Sequence, residues 1–228
     1  MYQFILLDLD NTILDFDLTE KKSLKKIIES FSIEFDLEML NQYRKINSSL
    51  WKLLEQGKVT RDIVLNTRFS EFFKLYNLDV DGKKVEEQFR VYLDESSDLV
   101  PNAKNTLIEL KRRNKKLYAA SNGVYSTQIQ RLTNAGIINL FDDVFISEKI
   151  GYEKPSKHFF EHCLNTIKDV EIEKVIMVGD SISSDIQGAL NAGIDSCYYK
   201  YNKNIDCLDA SYTINDISEL LKIVDIKK

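Results

Sequence analysis

The residues best placed to do chemistry are acids that follow short apolar runs. Asp8-Leu9-Asp10-Asn11-Thr12 comes directly after Phe4-Ile5-Leu6-Leu7, and Gly179-Asp180-Ser181 follows Val175-Ile176-Met177-Val178, with Asp185 a few positions beyond. Side chains two apart on an extended chain leave from the same side, so Asp8 and Asp10 start from one face. A helix opening after Ser181 would place Asp185 about one turn further along, near the same strand end. Asp8, Asp10, Asp180 and Asp185 then form a cluster of carboxylates that stays ionised only with compensation. A hard divalent cation with oxygen ligands supplies it, and Mg²⁺, which keeps waters and accepts phosphate as a co-ligand, is the ion expected. Two further pieces suit an anion. Ser121-Asn122-Gly123 sets a hydroxyl and backbone N–H groups at a strand-to-helix turn, and Lys154, before Pro155, offers a fixed cation. Each piece alone has a plainer reading: a helix cap for Ser121 or Asp180, a solvated side chain for Lys154.

Bringing these residues together requires elements that end at one place. Apolar or β-branched runs recur at Tyr2 to Leu7, Lys116 to Ala120, Val144 to Ile146 and Val175 to Val178, with further runs at Ser196 to Tyr199 and Tyr212 to Ile214. Helical patterns follow the first four runs. Strand alternating with helix predicts an α/β fold, a Rossmann-like parallel sheet with helices on both faces, whose strand carboxyl ends bind ligands. Between Phe16 and Leu99 the strand pattern disappears. Leu24-Ile27-Ile28-Phe31, Leu50-Leu53-Leu54 and Phe69-Phe72-Phe73-Tyr76 recur at helical spacing, enough for about four helices. One strand precedes this block and the others follow it, so it is an insert. The expected organisation is a catalytic core of residues 1–15 and 100–228 with an all-helical cap domain over 16–99.

Composition sets the outer bounds. The 228 residues carry 31 Lys+Arg against 36 Asp+Glu, a net charge of -5, which disfavours nucleic acid as a partner. Only 2 Pro and 8 Gly argue for long helices over a turn-rich sandwich. The first apolar run is too short for a signal sequence or membrane span, and Cys163, Cys197 and Cys207 lack C-x-x-C spacing, so a cytoplasmic enzyme with free thiols and no membrane partner is expected. The run Lys111 to Lys116 reads as a solvated helix end. His158, His162 and Cys163 lack a further ligand at suitable spacing, so they do not read as a metal site.

The four pieces Asp8-Leu9-Asp10-Asn11-Thr12, Ser121-Asn122, Lys154-Pro155 and Gly179-Asp180-Ser181 with Asp185 resemble, in order, the four motifs of the haloacid dehalogenase superfamily. The insert resembles the helical cap that follows the first strand in one of its subfamilies. The resemblance implies phosphoryl transfer through an aspartyl-phosphate, with Asp8 as nucleophile and Asp10 as acid and base. It implies Mg²⁺ held by the side chains of Asp8 and Asp180 and the carbonyl of Asp10, assisted by Asp185. It assigns Ser121, the Asn122 amide and Lys154 to the phosphoryl oxygens, and Thr12 to orienting Asp10. Asn11 departs from the pattern, since many relatives have Gly there. Dehalogenases of this superfamily lack an acid at the Asp10 position, so a phosphatase or mutase is implied.

For the substrate, Asn47-Ser48-Ser49-Leu50-Trp51, Gly57-Lys58-Val59-Thr60, Arg68-Phe69 and Ser147 to Gly151 resemble the pattern of pyrimidine 5'-nucleotidases in this superfamily. A small-molecule phosphate ester is the implied partner, a pyrimidine nucleoside 5'-monophosphate foremost, with Trp51 or Phe69 stacking on the base and Arg61 or Arg68 near the entrance. A phosphatase for phosphoglycolate or a sugar phosphate, or a sugar-phosphate mutase, is the alternative.

Overall fold

The computed structural model describes residues 1–202 and 205–226; residues 203–204 and 227–228, the latter closing the expected core segment, lie outside the described residues. The chain divides into two compact units, Met1–Phe16 with Ser97–Lys228, and Asp17–Ser96. In the first unit six strands, β1 (Phe4–Leu7), β2 (Lys116–Ser121), β3 (Asp143–Ile146), β4 (Val175–Gly179), β5 (Asp195–Tyr199) and β6 (Tyr212–Ile214), form one sheet in the order β3-β2-β1-β4-β5-β6. Every pairing is parallel. The helices of this unit are α5 (Ala103–Arg112), α6 (Tyr125–Asn134), α7 (Ser147–Ile150), α8 (Lys157–Thr166), α9 (Gln187–Ala192) and α10 (Leu220–Ile223), and α1 (Phe16–Ser30) begins at its edge.

Both sheet faces are covered, which is why the strands read as continuous apolar runs. Ile5 and Leu7 of β1 and Ile176 and Val178 of β4 enter one core with Leu107 and Leu110 of α5 and Leu132 of α6. The alternate residues Phe4, Leu6, Val175 and Met177 enter the opposite core with Phe159, Phe160 and Cys163 of α8 and Ala189 of α9. The period of two along each strand divides its side chains between the cores, and each large aliphatic buried contributes about 1.5–3 kcal/mol. The register Leu7↔Ala119 and Leu7↔Val178 sets the carboxyl ends of β1, β2 and β4 level. The chain order along the sheet reverses direction between β1 and β4, the place where a ligand crevice opens in such sheets.

One expectation is corrected here. Lys115, read as part of a solvated helix end, is buried and donates to the carbonyls of Tyr2 at 2.9 Å and Val224 at 3.3 Å, with Asp225 3.0 Å away. Its neighbours Arg112 and Lys116 do remain exposed.

The second unit holds the rest of α1 with α2 (Leu37–Glu55), α3 (Arg61–Lys74) and α4 (Gly82–Asp94). Asp36, Thr60 and Asp81 cap α2, α3 and α4 through their side chains, each accepting from N–H groups of the first turn. Tyr43, Phe69, Phe72 and Phe89 pack as an aromatic core, with Tyr43 and Phe69 stacked at 5.1 Å and Phe69 and Phe89 edge to face at 5.0 Å. Among the described residues no helix is long and apolar enough to cross a membrane.

Candidate active site

Asp8 leaves the end of β1 still within the sheet, its N–H donating to the Val178 carbonyl at 2.9 Å. The chain then turns sharply: Thr12, Ile13 and Leu14 all direct their N–H groups to the Leu9 carbonyl. Asn11 makes that reversal with φ of 59°, a left-handed conformation that Asn tolerates better than most residues. On the neighbouring strand, Gly179 leaves no Cβ where the Asp185 carboxylate lies; an added methyl would overlap it. Asp185 sits in a wide turn over Ile182–Ile186, where the Ile186 N–H reaches back five residues to the Ser181 carbonyl. Its Oδ2 accepts from the Ser181 N–H at 3.0 Å. Ser181, not Asp180, caps this turn by accepting from the Ser184 N–H.

These supports bring Asp8, Asp180 and Asp185 together, one oxygen of each lying within 4.8 Å of the others, and all three are buried. Lys154 stands among them, 1% exposed, which overturns the solvated reading. Its Nζ donates to Asp8 Oδ1 at 2.7 Å, Asp185 Oδ1 at 2.6 Å and the Ala120 carbonyl at 2.6 Å, using all three protons. Burial pulls that ammonium down, but the Asp185 and Asp8 carboxylates outweigh it and hold Lys154 above its ordinary value, so it is charged. Burial pushes the Asp8 carboxyl well above the usual range; Lys154 opposes this, while Asp185, Asp180 and Asp10 add to it. Three carboxyl groups around one ammonium form a cluster of hard oxygen donors, and a divalent cation such as Mg²⁺, which would favour their ionised form, fits that donor set.

Ser121 and Asn122 end β2 beside this cluster. The Ser121 hydroxyl accepts from the Gly123 N–H and from Gln128 Nε2, each at 3.0 Å. The Asn122 side chain locks to the main chain of Lys154, donating to its carbonyl at 2.9 Å and accepting from its N–H at 2.8 Å. Asn122 thereby fixes where Lys154 enters the site, and α6 opens without a side-chain cap.

The remaining expected residues fall in different places. Thr12, expected to orient Asp10, instead donates to Asp8 Oδ2 over 3.4 Å, because the tight turn after Leu9 folds it back beneath β1. The Asp10 side chain does not join the three-acid cluster and is bound by Gln128 and Arg131 of α6. No motif named these two residues. The only sequence signal was a polar pair three apart on the helix that follows Ser121-Asn122-Gly123. Within the helical unit Arg68 and Phe69 are interior residues, 3% and 0% exposed, and Arg68 binds Glu86 and Asn47. The expectation that they touch substrate is corrected accordingly. Helical spacing alone could not tell an inward face from an outward one. Trp51 is half-buried against Leu50, Leu54 and Val64, and Arg61 is half-buried at the start of α3. His158 is exposed beside Glu161 while Cys163 lies in the core, so they do not converge.

Known proteins place this arrangement in context. Residues 5–199 match the model of the haloacid dehalogenase-like hydrolases, a span containing all four motifs and the insert. The chain belongs to the haloacid dehalogenase-like hydrolase family. The hydrolase is 36% identical to the HAD-hydrolase YfnB of Bacillus subtilis, over 99% of this chain and 97% of that one. A crystal structure of YfnB bound to magnesium superposes with a TM-score of 0.92, covering 99% of each chain. The hydrolase is also 34% identical to the pyrimidine 5'-nucleotidase PynA of Streptococcus pneumoniae, over 98% of this chain and 95% of PynA. Against the pyrimidine 5'-nucleotidase YjjG of Escherichia coli the identity is 28%, over 98% of both chains.

Proposed function

We propose that this hydrolase is a Mg²⁺-dependent phosphatase that releases phosphate from pyrimidine nucleoside 5'-monophosphates through an aspartyl-phosphate on Asp8. The observation that carries the chemistry is Asp8 itself, buried at the end of β1 between the Lys154 ammonium and the Asp180 and Asp185 carboxylates. Asp8 attacks phosphorus in line with the ester oxygen, the phosphorus–oxygen bond to the leaving group breaks, and Asp10 gives that oxygen a proton. Water then attacks the phosphorus of the acyl phosphate, Asp10 takes its proton, and phosphate leaves with Asp8 restored. Lys154, the Ser121 hydroxyl and the Asn122 amide hold the phosphoryl oxygens. Bound Mg²⁺, held by the side chains of Asp8, Asp180 and Asp185 and the Asp10 carbonyl, would neutralise charge that the acids cannot.

The substrate class is supported by full-length similarity to two proteins named pyrimidine 5'-nucleotidases. In this reading residues 1–15 and 100–228 are the catalytic core, 16–99 are the cap, and Trp51 and Arg61 are its substrate contacts. The buried, unpaired Cys163 and Cys197 support a cytoplasmic setting. The test is kcat/KM for dUMP, dTMP and UMP beside phosphoglycolate and hexose phosphates at one Mg²⁺ concentration. A preference of tenfold or more for a non-nucleotide ester, about 1.4 kcal/mol in transition-state binding, would leave only the general phosphatase standing. Asp8→Asn should abolish phosphate release from every ester while the protein stays folded.

A further inference from the structure

Two side chains outside the four motifs hold the Asp10 carboxylate from both sides. Gln128 Nε2 donates to Oδ2 at 2.6 Å, and Arg131 Nη1 donates to Oδ1 at 2.5 Å. Gln128 and Arg131 lie one turn apart on the buried side of α6, 2% and 1% exposed, whereas the Asp10 side chain keeps 31% of its surface open. The amide is itself braced. It donates to the Ser121 hydroxyl, and its oxygen lies 3.4 Å from Arg131 Nη1. Gly123 makes room for it, since a Cβ there would overlap the Gln128 side chain.

Arg131 is an expensive residue to place here. Its guanidinium lies over the Phe16 ring at 5.6 Å, and its Nε and Nη2 have no hydrogen-bond partner among the described residues. Burying a guanidinium with two nitrogens unmatched is unfavourable, so packing alone does not account for it. Its only ion pair among the described residues is with Asp10. Each carboxylate oxygen has two lone pairs, and the clamp engages one on each, leaving one on each oxygen for a further partner.

We infer that Gln128 and Arg131 are positioning residues for proton transfer: they fix the plane of the Asp10 carboxylate so that its unengaged lone pairs face the leaving oxygen and then the attacking water. This rests on the phosphatase reading above. In the first step the proton on Asp10 passes to the leaving oxygen as its bond to phosphorus breaks. In the second, the same carboxylate removes a proton from water as the new oxygen–phosphorus bond forms. A loose clamp slows both steps without touching the attack by Asp8.

That separation makes the inference testable through the leaving group. A nucleoside 5'-oxygen needs a proton to depart; a nitrophenolate does not. In Arg131→Met and in Gln128→Leu, kcat/KM for the nucleotide should fall by about 100-fold, as for a lost general acid, while kcat/KM for p-nitrophenyl phosphate stays within roughly threefold. Hydrolysis of the aspartyl-phosphate should become limiting for the aryl ester, seen as a burst of nitrophenol. Arg131→Lys, which keeps a cation, should recover part of the nucleotide rate. Gln128→Leu, which leaves the Arg131–Asp10 ion pair in place, reads the same split should Arg131→Met fail to fold. Equal losses on both esters, or no loss on either, would overturn the inference and make the pair a structural tie. Failure of the phosphatase reading would look different, because the unaltered enzyme would then hydrolyse neither ester.

Discussion

Gly179 and Asp185 show how single residues set the site. The carboxylate of Asp185 occupies the volume a side chain at position 179 would need, and from there it reaches both the Ser181 N–H and Lys154 Nζ. Gly179→Ala forces the carboxylate out or the strand end back. Overpacking of this kind costs about 1–3 kcal/mol of stability, which thermal unfolding would measure. A displaced acid of the cluster should also raise the Mg²⁺ concentration needed for half-maximal activity by about 10–100-fold. An unchanged Mg²⁺ titration curve in the variant would remove Asp185 from the metal's surroundings. Arg68 carries the opposite lesson. Its charge suggested substrate, yet it is spent inside the helical unit on Glu86 and Asn47.

Among elements, β3 is one of the two edge strands of the sheet and is open to loss. It is four residues long, lies at the edge of the sheet, and pairs on one side only, with β2. Asp142, just before it, compensates. Its carboxylate accepts from the Leu117 N–H at 2.9 Å, from Lys111 of α5 at 2.6 Å and from Lys116 at 3.2 Å, joining α5, β2 and β3. Burial pushes that carboxyl up, but Lys111, the Leu117 N–H and Lys116 outweigh burial and hold it below its ordinary value. A depressed carboxyl stabilises the fold above its unfolded pKa near 3.9, and that stability is lost as pH falls through the folded value. Asp142→Asn should therefore cost about 1–2 kcal/mol at neutral pH, allowing for partial exposure. Denaturant titrations of both forms should converge as the pH drops below about 4. A stability gap independent of pH would show that the contribution is shape, not charge.

At the scale of the whole molecule, the buried acids are a concentration of potential like charge that the fold must accommodate. Asp8, Asp180 and Asp185 face one charged lysine, so a divalent ion that binds the folded chain should stabilise it. Mass action predicts about 2.7 kcal/mol when Mg²⁺ exceeds its dissociation constant 100-fold. The expected result is a rise in melting temperature with added Mg²⁺, together with loss of activity on chelation and recovery on re-addition. The rise should disappear in Asp180→Asn. Full activity after exhaustive chelation would contradict the metal dependence.

Local chemistry legible in the chain was enough for the sheet and for the convergence of Asp8, Asp180 and Asp185, but not for the Asp10 side chain, which α6 holds apart from them. The strand runs needed no tertiary information, because burial on both faces makes each of them continuously apolar. Asp8, Asp180 and Ser121 were legible because they stand where such runs stop, and strand ends in a parallel sheet are where ligands bind. The strand order β3-β2-β1-β4-β5-β6 was decided by packing. So were the roles of α6 and the helical unit. Gln128 and Arg131 are spaced like any polar pair on a helix surface, and only the turning of that face toward Asp10 makes them a clamp. Arg68 and Phe69 lie on a helix whose other faces are equally mixed, and only the partners α2 and α4 determine that they point inward. Periodicity states that a helix has faces; which face meets what depends on neighbours distant in sequence.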